Sequence, residues 1–313
     1  MKKCLIWGNG ADYEIIINQI LFEIEKKNIE VVGIIAKTED IIGEKYDGFN
    51  MIEKEYVTNI DFDYIIVTSS QYFSEIRKEI LDKGIDSRKI INGQAFKIPH
   101  FDFERYSRLI ENPITIFSND CWGGCVYKSL FLPFNSPLIN ILWEQKDYIK
   151  FICNWKKYVD LPLNFERESN WHKLLHPIGS LGQGDEKVFL NFTHALNFEH
   201  AKNDWIRRCK RINPHNLFIK LGFNVDEIND DTEDILQTFN LINERKVCLY
   251  PHSIQNRNTV FLNRYDWFLL NMYRKEGHLG YVTYRAYCMR IKEMSKSVDF
   301  LKLLNGIEDY MRE

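Results

Sequence analysis

The chain has 313 residues, which is enough for two domains that each bury a core, and its 45% hydrophobic and 27% charged residues are typical of globular proteins. The net charge of -3 argues against a nucleic-acid-binding protein, because such proteins usually carry a strongly basic domain. No apolar run approaches the length of a membrane-spanning helix and no signal peptide follows Met1, so we expect a cytoplasmic protein.

The first third of the chain alternates short apolar runs with amphipathic segments. The predicted elements are strand 3–7, helix 12–27, strand 30–36, strand 63–70, helix 71–83 and strand 89–92. Strands that alternate with helices at this spacing indicate a parallel sheet with crossover helices. Pro99 and the polar residues after it interrupt the pattern, so we predict a Rossmann-like domain over 1–97 and a second domain over 98–313.

The second domain repeats the alternation. The predicted elements are strand 114–117, a helix from about 124, strand 138–143, helix 146–158, a loop "HPIGSLGQGD" (176–185), strand 187–193, helix 198–212, strand 217–221, helix 231–242 and strand 246–250. The tail from Asp266 is predicted to be mostly helical. The fold class that follows is α/β, with two Rossmann-like parallel-sheet domains and a helical C-terminal segment.

Two glycines mark the turn after the first predicted strand. "IWGNGADY" places Gly8 and Gly10 where backbone amides can approach a phosphate at a helix N-terminus. Tyr13 stands where a dinucleotide fingerprint has its third glycine, and Ala36-Lys37 stand where an acidic residue would hold the ribose of NAD. Nicotinamide binding is therefore disfavoured. A nucleotide or nucleotide-sugar role and a purely structural turn both remain open.

Residues 1 to about 97 resemble the small Rossmann-like modules attached to enzymes of bacterial glycan biosynthesis. The stretches that carry the resemblance are "IWGNG", "VVGIIAKTEDIIG" and "DYIIVTSSQYFSEIRKEILDKGI". In some of those enzymes the module holds a nucleotide sugar, and in others it only supports the structure. The resemblance therefore implies the fold much more strongly than it implies a nucleotide or nucleotide-sugar ligand.

Polar residues follow several predicted strands of the second domain. Ser118 and Asn119 follow strand 114–117, His194 follows strand 187–193, and His252 follows strand 246–250. Ligands of open parallel sheets bind beyond the carboxyl ends of the strands, so we expect these residues to share one edge around a cleft. His194 is the candidate catalytic base, with His252 as the second candidate.

The stretch "SNDCWGGCVYKS" (118–129) holds two cysteines and a glycine pair. A three-residue gap without a second pair of ligands does not match a zinc site, so we predict no metal. A reactive thiol would need His194 or His252 as its base, but free cysteines are usually inert buried residues. We prefer an anion site in which Gly123 and Gly124 seat a phosphate or carboxylate on free amides, with Ser118 and Asn119 as further donors. A bare structural turn is the alternative.

The predicted helix 198–212 is amphipathic, with an apolar stripe opposite a basic arc. The basic residues are Arg207, Arg208, Lys210 and Arg211. A solvated basic face is the default interpretation, because helix carboxyl ends favour cations. A pyrophosphate clamp made by Arg207 and Arg211 is the sharper alternative.

Several stretches between about Pro113 and His252 resemble a bacterial family grouped with exopolysaccharide and capsule biosynthesis proteins. They are Phe117 to Gly124, "LPFNSP" (132–137), "HPIG" (176–179), "FLNFTHALNFEHA" (189–201) and "WIRRCKRIN" (205–213). In that family an asparagine often stands in place of Asp120 and a tyrosine in place of His176, so neither is chosen as a catalytic candidate. The resemblance implies a pathway and not a mechanism.

Two functions remain open. The first is a transferase that acts on a nucleotide-activated sugar or a growing glycan, using a cleft between two Rossmann-like domains. The second is a non-catalytic module of the same pathway that binds a nucleotide sugar or scaffolds partner enzymes. In both, the expected partner is a nucleotide sugar or glycan and not a nucleic acid. An oxidoreductase is disfavoured by Tyr13 and Ala36-Lys37.

Overall fold

The computed structural model describes residues 1–35, 45–171, 174–223, 228–250, 259–261, 295 and 298–310. These residues divide into two compact units. Unit 1 comprises Met1–Asn112 and the segment from Asp299, and unit 2 comprises the described residues of Pro113–Val298. The domain bounds 1–97 and 98–313 stay a prediction.

Unit 1 is built on a six-stranded sheet with the strand order β3-β4-β2-β1-β5-β6. Its elements are β1 (Lys2–Trp7), α1 (Ala11–Glu25), β2 (Ile29–Ile35), β3 (Lys45–Tyr46), β4 (Phe49–Ile52), β5 (Tyr64–Val67), α2 (Phe73–Asp82), β6 (Ile90–Asn92) and α3 (Phe103–Glu111). All neighbouring strands are parallel except β3 and β4, so the predicted parallel sheet is confirmed here. The short strands β3 and β4 were not predicted.

The core of unit 1 follows from its apolar strands. The four residues of β5 are all buried, as expected for a parallel strand that is covered on both faces. Helix α1 buries Ile16 and Ile20, which lie four residues apart on one face. Helix α1 therefore closes one side of the sheet and begins directly after the glycine turn that ends β1.

Unit 2 contains two sheets. Its elements are β7 (Thr115–Ser118), α4 (Trp122–Ser129), α5 (Gln145–Cys153), α6 (Trp155–Val159), β8 (Asn164–Trp171), β9 (Leu174–Leu181), β10 (Val188–Asn191), α7 (Phe198–Cys209), β11 (Leu217–Gly222), α8 (Thr232–Asn240), β12 (Arg245–Tyr250) and β13 (Thr259–Phe261). The parallel sheet has the order β13-β12-β11-β7, and the second sheet has the order β10-β9-β8. The last described helix, α9 (Phe300–Leu304), belongs to unit 1.

The second sheet corrects the prediction of two purely parallel domains. β8, β9 and β10 pair in antiparallel fashion, so the predicted strand 187–193 does not join the parallel sheet. The predicted loop 176–185 is also wrong over most of its length, because β9 runs through it. Pro177 lies within β9, but the pairing of Asn191 with Ile178 places it one residue beyond the end of β10.

Two further predictions in unit 2 need correction. Residues 138–143 form no strand, although Leu138 and Ile141 are buried, because only Leu142 makes a single bridge, to Asn191. The predicted helix 146–158 is divided at Asn154 into α5 and α6. Most of the predicted helical tail from Asp266 lies outside the described residues.

The core of unit 2 is aromatic and lies between the parallel sheet and the helices α5, α6 and α7. The ring of Phe151 lies at its centre, 4.9 Å from the ring of Trp143, 5.9 Å from Phe117 and 6.3 Å from Trp205. Each buried aromatic side chain contributes about 1.5–3 kcal/mol through the hydrophobic effect. This core gives β7 and β11 a rigid base. Among the described residues, no helix combines the length and apolarity needed to cross a bilayer.

Candidate functional site

Asn119 ties together the ends of two neighbouring strands in unit 2. Its side-chain amide donates to the carbonyl of Gly222 at 2.7 Å, and its side-chain oxygen accepts from the amide of Gly222 at 2.9 Å. Gly222 ends β11, which pairs with β7. The main-chain oxygen of Asn119 accepts from the amide of Trp143 at 3.0 Å. The side chain of Asn119 therefore cross-links the ends of β7 and β11. Its contact with a ligand stays a prediction.

A buried ion pair lies beside this connection. Lys220 Nζ lies 2.7 Å from Asp120 Oδ2, and the side chain of Lys220 is only 2% exposed whereas that of Asp120 is 18% exposed. A buried ammonium is costly unless it is paired and hydrogen-bonded, and Lys220 also donates to Asn119 Oδ1 at 3.4 Å. A Cβ atom at Gly222 would come within 2.2 Å of Lys220 Nζ, so the glycine makes room for the charge.

Sequence reasoning missed Lys220. The residue lies inside the apolar strand "LFIKLG", and all six residues of that strand are buried. A single cation within such a strand is a detectable signal, because lysine is rarely buried without a partner. The partner, Asp120, lies a hundred residues earlier in the sequence, so only the fold identifies it.

The N-terminus of α4 is capped by side chains of the preceding loop. The amide of Trp122 donates to Asp120 Oδ1 at 2.9 Å, and the amide of Gly123 donates to Ser118 Oγ at 3.1 Å. A Cβ atom at Gly123 would lie 2.9 Å from Ser118 Oγ, so this glycine permits close packing of α4 on β7, whereas one at Gly124 would meet only ordinary contacts. The anion-binding role of Ser118, Gly123 and Gly124 stays a prediction.

His194 reaches the same loop from the second sheet. Its Nε2 atom lies 3.9 Å from the Sγ atom of Cys121, the residue that precedes α4. The predicted route through a parallel strand is wrong, because β10 pairs with β9. The connection instead runs through residues 138–143, since Leu142 exchanges backbone hydrogen bonds with Asn191.

Both members of the Cys121–His194 pair are uncharged near neutral pH. Burial raises the pKa of the Cys121 thiol to about 12, and the charge of Asp120 adds to the effect. Desolvation of the His194 ring, and then the nearby His176, lower the pKa of the imidazole below its ordinary value. The pair is therefore a thiol and a neutral imidazole, and the residue His194 as a whole is exposed to solvent. A neutral, accessible imidazole is suited to accept a proton.

The predicted arginine clamp lies at the other edge of the sheet. The amide of Asn213, just after α7, donates to Thr115 Oγ1 at 2.8 Å, and Thr115 begins β7. Arg207 pairs with Asp204 at 2.5 Å and lies about 14 Å along the axis of α7 from its start. The structure therefore does not bring Arg207 and Arg211 together with Asn119 and His194. His252 lies outside the described residues.

Gly8 and Gly10 end β1 in unit 1. Gly8 has φ +104°, and a Cβ atom there would lie 2.7 Å from Thr68 Oγ1, so the turn requires glycine. The hydroxyl of Thr68 donates to the carbonyl of Gly8 at 3.0 Å. A Cβ atom at Gly10 would meet nothing within 4 Å. The nucleotide-binding role of both glycines stays a prediction.

A carboxylate occupies the first turn of α1, next to these glycines. Asp12 Oδ2 accepts from the amide of Ser70 at 2.8 Å and from its hydroxyl at 2.7 Å, and these hydrogen bonds lower the pKa of Asp12. Tyr13 is fully buried, and its hydroxyl donates to Asp47 at 2.9 Å. In the part of the chain that the structure describes, no cluster of His, Cys, Asp and Glu could hold a metal ion.

Comparison with known proteins matches two family models to the chain. The model described as "Domain of unknown function (DUF1919)" covers residues 92–305, and the model described as "C2185-like, N-terminal" covers residues 1–91. A protein of Haemophilus influenzae described as an uncharacterized protein is 25% identical over 145 residues, which are 46% of this chain and 65% of that protein. The match thus spans slightly less than two thirds of that relative.

Proposed function

Because the chain belongs to the DUF1919 domain family, we propose a function from the residues at the carboxyl edge of its own parallel sheet in unit 2: a transferase that acts on a nucleotide-activated sugar or a growing glycan. The observation that carries the proposal is the contact of His194 with Cys121, directly beside the buried Asp120–Lys220 ion pair. Titratable groups with perturbed environments gather at functional sites more often than elsewhere.

His194 is the general base in this proposal. Its lowered pKa leaves the imidazole neutral at physiological pH, so the ring can take the proton of an attacking sugar hydroxyl. A thiol is only a weak hydrogen-bond donor, so a substrate hydroxyl can replace Cys121 as the partner of Nε2. Because burial keeps the Cys121 thiol protonated, we assign it a positioning role and not that of a nucleophile.

Asp120 is the residue that would orient the sugar. A carboxylate accepts hydrogen bonds from hydroxyl groups, and the partial exposure of Asp120 leaves it reachable from solvent. Lys220 holds one oxygen of the carboxylate and the amide of Trp122 holds the other, so its orientation is preset. A preset acceptor loses little conformational entropy when the substrate binds.

A ligand screen followed by a turnover assay tests the proposal. Nucleoside diphosphate sugars, nucleotides, NAD and acyl-CoA are compared by thermal shift, where a ligand at about 100 times its Kd adds about 2.7 kcal/mol of stability. Transfer of the stabilising sugar should fall by about 10²–10⁴ in His194→Ala. His200→Ala is the matched control, since His200 is an exposed residue of α7. Protection by NAD alone, or full turnover in His194→Ala, would contradict the proposal.

A non-catalytic nucleotide-sugar-binding module is the second candidate. The observation that favours it is the internal use of the polar groups at this edge, since Asn119 and the amide of Gly123 are bonded within the protein. In that case a nucleotide sugar stabilises the chain and no acceptor supports turnover. His194→Ala then leaves the thermal shift unchanged.

A further inference from the structure

An aromatic and basic surface lies at the amino edge of the parallel sheet in unit 2, away from the residues of the proposed function. It consists of Phe131, Pro133, Phe134, Lys210 and Arg211, all of them exposed, and we call it the Phe–Arg surface. Phe131 is 40% exposed and Phe134 is 39% exposed. Two partly exposed apolar rings in one loop next to a cluster of cations are typical of an interaction surface.

The loop that carries the rings is held in place from below. The amide of Leu132 donates to the carbonyl of Tyr127 at 2.9 Å, and Leu132 is buried while its neighbours Phe131 and Pro133 face solvent. Phe131 has φ +54°, a left-handed conformation that a bulky residue rarely adopts. The fold holds Phe131 in this uncommon conformation while the residue stays partly exposed.

Phe134 is supported in the same way. Its ring makes an edge contact with Tyr127 at 5.9 Å between centroids. The hydroxyl of Tyr127 donates to the carbonyl of Ile114 at 2.7 Å and accepts from the amide of Ile116 at 2.8 Å. Tyr127 thus anchors the loop to β7, and the exposed ring is presented on a rigid base.

The basic end of α7 lies directly beside this loop. Arg211 Nη1 donates to the carbonyl of Phe134 at 3.4 Å, and Arg208 Nη1 donates to the carbonyl of Ile139 at 3.0 Å. Residues 204–211 carry four cations and one carboxylate, although the chain as a whole has a net charge of -3. The positive charge is therefore local to the edge where the rings project.

We propose that the Phe–Arg surface docks on the surface of a membrane that contains anionic phospholipid. Phenylalanine rings partition into the boundary between headgroups and acyl chains, while lysine and arginine pair with lipid phosphates and are attracted by the negative surface potential. The two partly exposed rings suit the start of the acyl-chain region, and the flanking cations suit the layer of charged headgroups. A single-stranded nucleic acid also binds through cations and aromatic rings, but the net charge of the chain disfavours it.

Vesicle co-sedimentation of the full chain tests this proposal. Vesicles of phosphatidylcholine alone are compared with vesicles in which about a third of the lipid is phosphatidylglycerol, a composition that gives a negative surface potential. We expect binding to the anionic vesicles only. Lys210→Gln with Arg211→Gln should lower the partition coefficient about 30-fold, since each cation near an anionic surface contributes about fivefold. Phe131→Ser with Phe134→Ser should abolish binding without changing the net charge.

A matched variant in the same unit guards against non-specific effects. Leu241→Ser with Lys156→Gln also removes an exposed apolar side chain and an exposed cation, and it should bind like the unchanged protein. Phe131→Trp adds a readout that does not depend on a loss of binding, since its emission should shift to shorter wavelength on anionic vesicles. Equal binding to both vesicle types, no binding to either, equal loss in the matched variant, or competition by single-stranded DNA at matched charge would overturn the proposal.

Discussion

The carboxyl edges of the two parallel sheets differ in strand order and in what their polar residues contact. In unit 1 the loops after β1 and β5 close on one another, because Asp12 accepts two hydrogen bonds from Ser70 and Thr68 donates to Gly8. In unit 2 the loop after β7 contributes Asp120 to a buried ion pair with Lys220, and its Cys121 contacts the imidazole of His194, which solvent can reach. The two edges therefore offer different chemistry.

The difference teaches how little a glycine turn reveals by itself. Gly8 in unit 1 and Gly123 in unit 2 both allow a close approach to a hydroxyl group, of Thr68 and Ser118 respectively. Both contacts are with side chains of the protein itself. What separates the edges is the charged chemistry around the glycines, and that chemistry comes from residues distant in sequence.

The charge pair of unit 2 gives the largest expected effect. Asp120→Ala leaves Lys220 buried without its carboxylate, so we expect the free energy of unfolding to fall by about 3–5 kcal/mol in urea titrations. Glu186→Ala removes an exposed ion pair with Lys157 and should cost at most about 1 kcal/mol. Similar small losses in both variants would show that Lys220 is solvated, and the contrast between the two edges would weaken.

The turn of unit 1 is tested by a pair of glycine substitutions. Gly8→Ala forces a side chain into φ +104° and against Thr68 Oγ1, so we expect a loss of about 2–3 kcal/mol. Gly10→Ala has open space and a negative φ, and its stability should change little. The measurement is chemical denaturation followed by circular dichroism. Equal tolerance of both substitutions would mean that the turn does not require glycine at position 8.

The corresponding pair in unit 2 should give a smaller difference. Gly123→Ala places a Cβ atom 2.9 Å from Ser118 Oγ and 3.1 Å from Ile116 Cγ2, and overpacking outweighs the helix propensity of alanine by about 1–2 kcal/mol. Gly124→Ala meets only ordinary contacts and should stabilise α4 by up to about 1 kcal/mol. Thermal melts of the two variants should therefore move in opposite directions. A shift in the same direction would contradict the packing of α4 on β7.

The smallest effect is a dependence of stability on pH near 6.5, which His194 gives to the unit 2 edge. The pKa of His194 is lower in the folded state than in the unfolded state, where it is about 6.5. The unfolded state therefore binds the proton more readily, and stability falls as the pH drops below about 6.5. His194→Gln should flatten this part of the melting profile, whereas His215→Gln, at an exposed position, should not. Identical profiles in both variants would argue against desolvation of the His194 ring.

The local sequence pattern predicted most of the parallel strands. It did not predict β8 or β9, the strands that form the antiparallel sheet with β10. The strands β1, β5, β7 and β11 are continuous apolar runs, and such runs can be recognised without knowing their neighbours. β8 is polar and half-exposed, and β9 contains Pro177, so neither has a local signal. Residues 138–143 show the opposite error, since their burial comes from side-chain packing without strand pairing.

The candidate site was predicted in outline, because Asn119 and His194 stand out as polar residues after apolar strands. The partners of these residues were not predicted. Cys121 meets His194 across 73 residues of sequence, and Lys220 meets Asp120 across 100. The arginines at the end of α7 were noticed in the sequence as a possible clamp. The direction of α7 places them at the opposite edge of the sheet from His194.

The sequence by itself determined the order of the parallel elements and the positions of the tight turns, because apolar periodicity and glycine act within a few residues. Tertiary structure decided which charges are paired, which imidazole reaches the thiol and which edge each basic residue faces. These contacts depend on the order of the strands and on the direction of each crossover. The free energy of burying and pairing such polar groups arises only when residues distant in sequence are removed from water together.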